Sequence, residues 1–334
     1  MNKICVAGPF NTTMRSALQN AFPPEFQLQF IDSYEQFDAL TDAEYIILRT
    51  LCLDKNAIMS LKRTKLIQRW GAGYDSVDIE VAGSRGIRVA ITAGMNAVPV
   101  AELTLALTLA VYRNLIPLTN SIQSGAWERE AYAKRSYTLN GKTVGVFGIG
   151  NIGRAVSALY NSFGSKVDYT DTNRLPVQEE KRLNVSFVCL DDLLQCSDII
   201  TLHSPLTEET RGIINEKTIS MMKDGAVLIN TARQELVDLP SLAVALRSGK
   251  LLGAGIDAIE ESIVHEKIFS GIDTVVFSPH LGGNTIDNAE HMANRCAQQI
   301  MAVARGDELQ PPHLVNGQYL KTGEALYDER KNNC

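Results

Sequence analysis

Residues 143–171 have the sequence TVGVFGIGNIGRAVSALYNSFGSKVDYTD, in which a strand, a glycine-rich turn, a helix and a second strand follow one another. Gly148, Gly150 and Gly153 fit the pattern G-x-G-x-x-G. The first glycine of that pattern allows a tight turn, the second lets the backbone approach a pyrophosphate, and the third lets the helix pack on the strand. The helix then presents free N–H groups to the phosphates. The stretch predicts a dinucleotide site that includes Asn151 and Ile152, with a purely structural glycine turn as the alternative.

An acidic residue follows the second strand of this unit. Asp171 lies 18 residues beyond Gly153, where a carboxylate bonds the ribose hydroxyls of a bound dinucleotide. Asp168 is the alternative acid, although it lies in the middle of the strand. An acid near the ribose disfavours a 2′-phosphate, so NAD is the predicted cofactor, while Arg174 close by leaves the tolerance of NADP open.

Strands alternate with helices on both sides of this unit. Apolar runs of strand length recur before residue 91 and again between residues 143 and 277, with helix-length segments between them. Such alternation is typical of parallel sheets covered by helices on both faces. The spacing predicts two Rossmann-like, doubly wound α/β domains, one continuous helix over 98–124, and a long helix over 284–305.

Composition limits the function classes. The 334 residues suggest about two domains, and the net charge of −6 without a basic stripe argues against nucleic acid as a main partner. The six cysteines form no C-x-x-C pair, which is typical of reduced thiols in a cytoplasmic protein. The most apolar run, 98–111, contains Glu102 and is too short for a membrane span. The five histidines have no metal-ligand spacing, so no metal is expected.

Two chemically capable residues follow predicted strands. Arg233 ends the segment VLINTAR, and His280 lies in SPHLGG just after an apolar strand. In open α/β folds, ligands bind at the carboxyl ends of the strands. A guanidinium there would hold a carboxylate and polarise the adjacent carbonyl, and an imidazole would shuttle a proton near neutral pH. Beside a nicotinamide, this pair predicts hydride chemistry at a carbonyl next to a carboxylate.

The chain resembles the D-isomer-specific 2-hydroxyacid dehydrogenase family, which includes phosphoglycerate dehydrogenase and glyoxylate/hydroxypyruvate reductase. The matching segments span most of the chain and follow the family's order. They are RWGAGYDSVD (69–78), NAVPVAE (96–102), NGKTVGVFGIGNIGRAV (140–156), TLHSPLTEETRGIIN (201–215), LINTARQELVD (228–238), GAGIDAIEE (253–261) and SPHLGG (278–283).

The resemblance implies roles for individual residues. Arg233 matches the catalytic arginine and His280 the acid/base histidine, and D-stereochemistry is implied by the resemblance alone. Besides the glycine turn and Asp171, the matched cofactor positions are His203, Thr231, Ala232 and Asp257. The matched substrate positions are Arg49, Gly71, Ala72, Gly73 and Asn96.

The resemblance also implies domain organisation. It predicts a cofactor domain over 99–281, a discontinuous substrate domain formed by 1–98 with 282–334, and an active site in the cleft between them. The long helix after residue 98 and the segment with Trp127 help to form a homodimer in the family.

One position departs from the family pattern. The family's third catalytic residue is a glutamate that hydrogen-bonds the histidine, and the matching position here is Ser262. Glu261 or Glu260 would take over that role if the loop is shifted. The departure keeps open a non-enzymatic, NAD-binding corepressor as the alternative function. A formate dehydrogenase-like enzyme is a third option without a supporting local motif.

Overall fold

The computed structural model describes residues 2–36 and 38–320. Within them the chain divides into two compact units. The first unit combines the described residues up to Asn96 with those from Asn284 onward, and the second unit is the segment Ala97–Gly283.

The first unit is a parallel sheet in the order β2-β1-β3-β4-β5. Every residue of β3 and β4 is buried, as expected for strands covered on both faces. Up to Asn96 its elements are β1 (Asn2–Ala7), α1 (Thr12–Ala21), β2 (Phe26–Ile31), α2 (Asp38–Thr41), β3 (Tyr45–Leu48), α3 (Lys55–Ser60), β4 (Leu66–Arg69), α4 (Ile79–Ser84) and β5 (Arg88–Ala90), with a short 3-10 turn at Tyr34–Gln36.

The second unit is a larger parallel sheet in the order β12-β11-β10-β9-β6-β7-β8. Its elements are α5 (Ala97–Tyr112), α6 (Leu115–Gln123), α7 (Arg129–Ala133), β6 (Thr143–Phe147), α8 (Asn151–Ser162), β7 (Lys166–Thr170), α9 (Val177–Leu183), β8 (Val185–Phe187), α10 (Leu190–Cys196), β9 (Ile199–Leu202), α11 (Glu216–Met221), β10 (Ala226–Asn230), α12 (Leu239–Arg247), β11 (Leu251–Ile256), α13 (Glu261–Glu266) and β12 (Val275–Phe277), with a 3-10 turn at Gln234–Leu236.

The strand order of the second unit reverses at β6, which pairs with β7 on one side and β9 on the other. In doubly wound sheets, ligands bind at the carboxyl end of this switch point. The glycine-rich turn directly follows β6. The strands are parallel, so the segments after β9, β10, β11 and β12 leave the sheet at the same edge.

The prediction of one continuous helix over 98–124 is wrong. The structure has α5 and α6 instead, separated at Asn114, which adopts the left-handed conformation with φ 51°. Pro117 lies in the first turn of α6, where a backbone N–H has no helical acceptor to bond. In the interior of a continuous helix, the missing N–H would instead cost a hydrogen bond. None of the helices within 2–36 and 38–320 combines the length and the apolar character needed to cross a membrane.

The chain returns to the first unit through α14 (Asn288–Arg305). The predicted start at Asn284 is four residues early, because Asp287 caps the helix by accepting a bond from the Asn288 N–H. Ala289, Met292, Ala293, Cys296 and Ile300 recur at helical spacing and are buried in one core with residues of the first sheet and α1. Residues 321–334 of the predicted substrate domain lie outside the described residues.

Candidate active site

The glycine-rich turn has no room for side chains at two of its three glycines. Gly148 has φ +96°, and a Cβ there would lie 2.7 Å from the backbone nitrogen of Ser204. A Cβ at Gly153 would lie 2.1 Å from the carbonyl oxygen of Gly148. Glycine is therefore required at both positions by the tight turn and by the packing of α8 against it.

Gly150 differs, since a Cβ there would meet no atom within 4 Å. It is exposed and is the N-cap residue of α8, with Asn151 and Ile152 in the first turn. The open space thus lies beside the free N–H groups at the amino end of a helix, which is the environment that a pyrophosphate requires. The turn fits a dinucleotide.

Asp171, rather than Asp168, lies beside this turn. The Asp171 Oδ2 accepts a bond from the Ile149 N–H at 2.8 Å, and its Oδ1 accepts one from Asn173 at 3.0 Å. Asp168 lies within β7, is 3% exposed, and accepts a bond from the Lys166 ammonium at 2.8 Å. The geometry therefore favours Asp171 as the ribose-binding acid.

Two glutamates of α9, which the sequence analysis did not single out, hold arginines near this acid. Glu180 accepts two bonds from the Arg174 guanidinium, at 2.9 and 3.1 Å. The neighbouring Glu179 pairs with Arg154 at 2.6 Å. Hydrogen bonds from Arg174 keep the pKa of Glu180 below its ordinary value. Acidic residues in a short surface helix carry no sequence signal of such a contact.

His203 follows β9, and its side chain faces inward. Its Nε2 lies 2.8 Å from the Thr201 hydroxyl, and its Nδ1 is buried without a hydrogen-bond partner among the described residues. Burial lowers the pKa of His203 to about 3. The imidazole is therefore neutral near pH 7, which makes it unsuited to donating a proton as an acid.

The turn after β10 is held by Asn230. This residue is 1% exposed. Its amide donates to the carbonyl of Arg233 at 2.7 Å and accepts the N–H of Ala232 at 3.0 Å. The Thr231 hydroxyl lies 3.0 Å from that of Thr104 on α5. Asn230 is the polar last residue of an otherwise apolar strand. A polar residue at the end of such a strand is a sequence signal for a side chain that holds the following turn.

The loop that carries His280 is held by Asp257, at the end of β11. Asp257 is 2% exposed, and its Oδ1 and Oδ2 accept the N–H groups of Leu281 at 2.8 Å and Gly282 at 3.0 Å. Its carbonyl oxygen accepts the N–H of His280 at 2.8 Å. His280 itself is exposed and has φ 55°, a left-handed conformation that is uncommon outside glycine. Both carboxylate oxygens of Asp257 thus act on the loop.

The same network joins the two candidate catalytic residues. The Asp257 N–H donates to the carbonyl of Asn230 at 2.9 Å, which ties the end of β11 to that of β10. Arg233 and His280 therefore leave the sheet on either side of β11. With strands spaced by about 4.8 Å, the two loops start about 10 Å apart, a separation that their side chains can span to reach one small substrate.

The position that matches the family's catalytic glutamate lies on α13. Glu260, Glu261 and Ser262 are all exposed. The N–H of Glu260, the N-cap residue, donates to the side-chain oxygen of Gln234 at 2.8 Å. Gln234 directly follows Arg233, so this bond, which sequence reasoning missed, ties the start of α13 to the Arg233 turn.

The predicted substrate-binding residues of the first unit follow its strands. Arg49, after β3, donates to the carbonyl of Pro9, and burial lowers the pKa of its guanidinium. Gly71, after β4, has φ +140° and is bonded through its N–H to the Thr92 hydroxyl at 3.0 Å. The remaining residues are Ala72, Gly73 and Asn96, all partly buried.

Comparison with known proteins agrees with this geometry. Residues 105–282 match the model of the D-isomer specific 2-hydroxyacid dehydrogenase NAD binding domain. The glyoxylate reductase of Thermococcus litoralis is 36% identical over 291 residues, 86% of each chain. The chain belongs to the D-isomer specific 2-hydroxyacid dehydrogenase family. It binds NAD and transfers a hydride between NAD(H) and a small 2-hydroxy or 2-keto acid.

Other proteins match most of this chain and nearly all of their own length. The hydroxypyruvate reductase of Thermotoga maritima is 34% identical over 303 residues, covering 89% of this chain and 97% of that protein. The solved structure of the TT0316 protein from Thermus thermophilus superposes with a TM-score of 0.83 at 31% identity, covering 94% of this chain and 99% of that one. These comparisons confirm the predicted family and the two parallel-sheet α/β domains.

Proposed function

We propose that this dehydrogenase reduces 2-keto acids of two or three carbons, with glyoxylate and hydroxypyruvate as the first candidates. The names of its relatives from Thermococcus litoralis and Thermotoga maritima support this substrate class. The observation that carries the proposal is the pair of loops after β10 and β12, which place Arg233 and His280 on either side of the Asp257 network.

Each of the two residues has a distinct task. Arg233 binds the substrate carboxylate and polarises the neighbouring carbonyl, because its planar guanidinium forms two parallel hydrogen bonds to a carboxylate. NADH, when bound, supplies the hydride. His280 donates the proton that the carbonyl oxygen needs as it becomes a hydroxyl. His203 lines the cofactor pocket in its neutral form.

The remaining positions divide between cofactor and substrate. The glycine turn and the amino end of α8 bind the pyrophosphate, and Asp171 binds the adenosine ribose. Thr231, Ala232 and Asp257 line the nicotinamide side. Residues 99–281 form the cofactor domain in this proposal, and residues 1–98 with 282–334 form the substrate domain, in which Arg49, Gly71, Ala72, Gly73 and Asn96 contact the keto acid.

The proposed assembly is a homodimer in the cytoplasm. Helix α6 and the segment after it expose Leu115, Ile116, Ile122 and Trp127, the last with 80% of its surface accessible. Exposed apolar patches of this kind mark protein–protein contacts. In the described residues the cysteines at 5, 52, 189, 196 and 296 are unpaired, which suits a reducing compartment.

A substrate panel tests the proposal. Purified protein is assayed for oxidation of NADH and of NADPH with glyoxylate, hydroxypyruvate, pyruvate, phosphohydroxypyruvate and a branched keto acid. We expect the highest kcat/KM with NADH and one of the first two acids. NADH binding without turnover of any keto acid would instead favour the corepressor-like alternative.

A further inference from the structure

The guanidinium of Arg174 is paired with a carboxylate beside the proposed ribose site. Its Nε and one terminal nitrogen bond the two carboxylate oxygens of Glu180, at 2.9 and 3.1 Å. The guanidinium carbon Cζ lies 5.3 Å from the centre of the Phe187 ring, which makes a cation–π contact. A bidentate pair that is also stacked is fixed in orientation far more than an ordinary surface ion pair.

The carboxylate partner is fixed as well. Glu180 is buried, and its Oε1 also accepts a bond from the Tyr169 hydroxyl at 2.8 Å. That hydroxyl in turn accepts the N–H of Leu175 at 2.8 Å, so the loop between β7 and α9 is closed around the pair. Arg174 is the exposed partner, with 56% of its side chain accessible. The arginine is therefore the member that can move.

We propose that Glu180 is a specificity-determining residue for the cofactor, because it withholds Arg174 from the position where a 2′-phosphate of NADP would need a cation. The inference rests on the proposed role of Asp171 at the adenosine ribose. Arg174 lies three residues beyond Asp171, close enough to serve either cofactor form. While Arg174 bonds Glu180, its positive charge serves that carboxylate rather than Asp171.

NADP binding would be unfavourable whether Arg174 stays with Glu180 or moves to the phosphate. If it stays with Glu180, the 2′-phosphate faces Asp171 without a counter-charge, and like charges at close range repel. If it moves to the phosphate, Glu180 is left as a buried carboxylate with one hydroxyl partner, which is costly. Either outcome favours NAD, whose 2′-hydroxyl bonds Asp171 and needs no cation.

Binding titrations test this directly, without relying on turnover. The intact protein is titrated with NADH and with NADPH by nucleotide fluorescence, and with ADP-ribose and its 2′-phosphate by calorimetry. The variants are Asp171→Ser, Glu180→Gln and the two combined. In the Asp171→Ser background, Glu180→Gln should tighten NADPH binding about 10-fold, as one freed charge-assisted bond predicts, while NADH affinity stays the same.

A third substitution and a matched control make the test specific. Adding Arg174→Ala to the double variant should remove the gain, because the freed guanidinium is its source. Glu216→Gln on α11 removes one negative charge elsewhere in the same unit and should leave both affinities unchanged. Glu180→Asp is the variant to use if Glu180→Gln fails to fold. It keeps the buried charge but shortens the side chain out of bidentate reach, so its gain in NADPH affinity should be smaller.

The contradictory outcomes are separable. An unchanged NADPH affinity in both Glu180 variants, or a gain that survives Arg174→Ala, would overturn the role of Glu180. An NADH affinity that is unchanged in Asp171→Ser would instead overturn the proposed ribose site. Normal NADH binding with no response to the Glu180 variants refutes this inference alone.

Discussion

The two ends of the second sheet's carboxyl edge are built differently. After β11 and β12, the buried Asp257 carboxylate accepts backbone N–H groups of the His280 loop. After β7, by contrast, Arg174 and Glu180 satisfy each other through their side chains, with the arginine exposed. The first arrangement fixes the path of the backbone, whereas the second fixes the position of one exposed charge.

This difference suits the two tasks. A proton donor must be held in a narrow range of positions relative to the reacting carbonyl, because small displacements are expensive in rate. Bonds from a buried carboxylate to backbone N–H groups provide that constraint. Cofactor choice needs only the presence or absence of a charge, which an exposed side chain provides. Variants of His280 and Asp257 should therefore have larger effects than variants at the cofactor end.

The largest effect is expected at His280. We choose His280→Asn, because asparagine tolerates the left-handed conformation that this position requires. The substitution should lower kcat/KM for keto-acid reduction by roughly 100- to 10,000-fold, the range for loss of a general acid. NADH affinity and the unfolding midpoint should stay near wild type. A variant that keeps more than a third of the wild-type rate would remove His280 from the chemistry.

Asp257→Asn tests whether the backbone bonds position that histidine. An asparagine amide offers one acceptor, so one of the two loop N–H groups loses its partner, at a cost of about 1–3 kcal/mol in the free energy of unfolding. We expect kcat/KM to fall about 10- to 100-fold, because a displaced imidazole is poorly placed to donate its proton to the carbonyl oxygen. Asp168→Asn is the matched control, because it also alters a buried aspartate of the same unit. It should destabilise the protein while kcat at saturating NADH is retained, and equal losses of kcat in both variants would rule out a positioning role.

The buried imidazole of His203 predicts a pH-dependent stability. Its pKa is about 3 in the folded protein and near 6.5 when exposed, so protonation favours the unfolded state. The neutral imidazole therefore makes its full contribution to the free energy of unfolding above pH 6.5, and this contribution is lost as the pH falls toward 3. Between pH 7 and pH 5 this loss should be about 2 kcal/mol in the free energy of unfolding.

Denaturant unfolding at both pH values measures that loss. His203→Asn should show a smaller decrease than wild type by about 2 kcal/mol, whereas His265→Asn, at an exposed position of α13, should behave as wild type. If His203→Asn loses as much stability on acidification as wild type, the imidazole is charged or solvated in the fold.

The smallest shift is expected at the third catalytic position. Keto-acid reduction requires a protonated histidine, and a nearby carboxylate favours the protonated form. Ser262→Glu should therefore move the alkaline limb of kcat/KM upward by about one pH unit, or 1.36 kcal/mol. Glu261→Gln should leave the limb in place. The reverse pattern would mean that Glu261 already serves His280.

Much of this fold follows from local patterns. All seven strands of the second unit lie within one residue of the apolar runs that predict them, and the glycine turn, Arg233 and His280 all fall at the carboxyl edge as expected. The break at Asn114 was missed because an apolar face continues across it, although Pro117 marked it. The bond between the Glu260 N–H and the Gln234 side chain joins residues 26 positions apart. Such a contact cannot be predicted from the residue types, because it depends on how the two loops fold.

One paired measurement tests the division of tasks most directly. NADH titrations and keto-acid reduction at saturating NADH are carried out on wild type, Arg233→Ala and Asp171→Ala, with Arg233→Lys as the charge-conserving control. We predict that Arg233→Ala binds NADH as wild type does but loses turnover, and that lysine restores little because it cannot form the bidentate contact. Asp171→Ala should bind NADH more weakly, yet turn over near the wild-type rate once saturated. Wild-type turnover in Arg233→Ala, or unchanged NADH affinity in Asp171→Ala, would contradict the account.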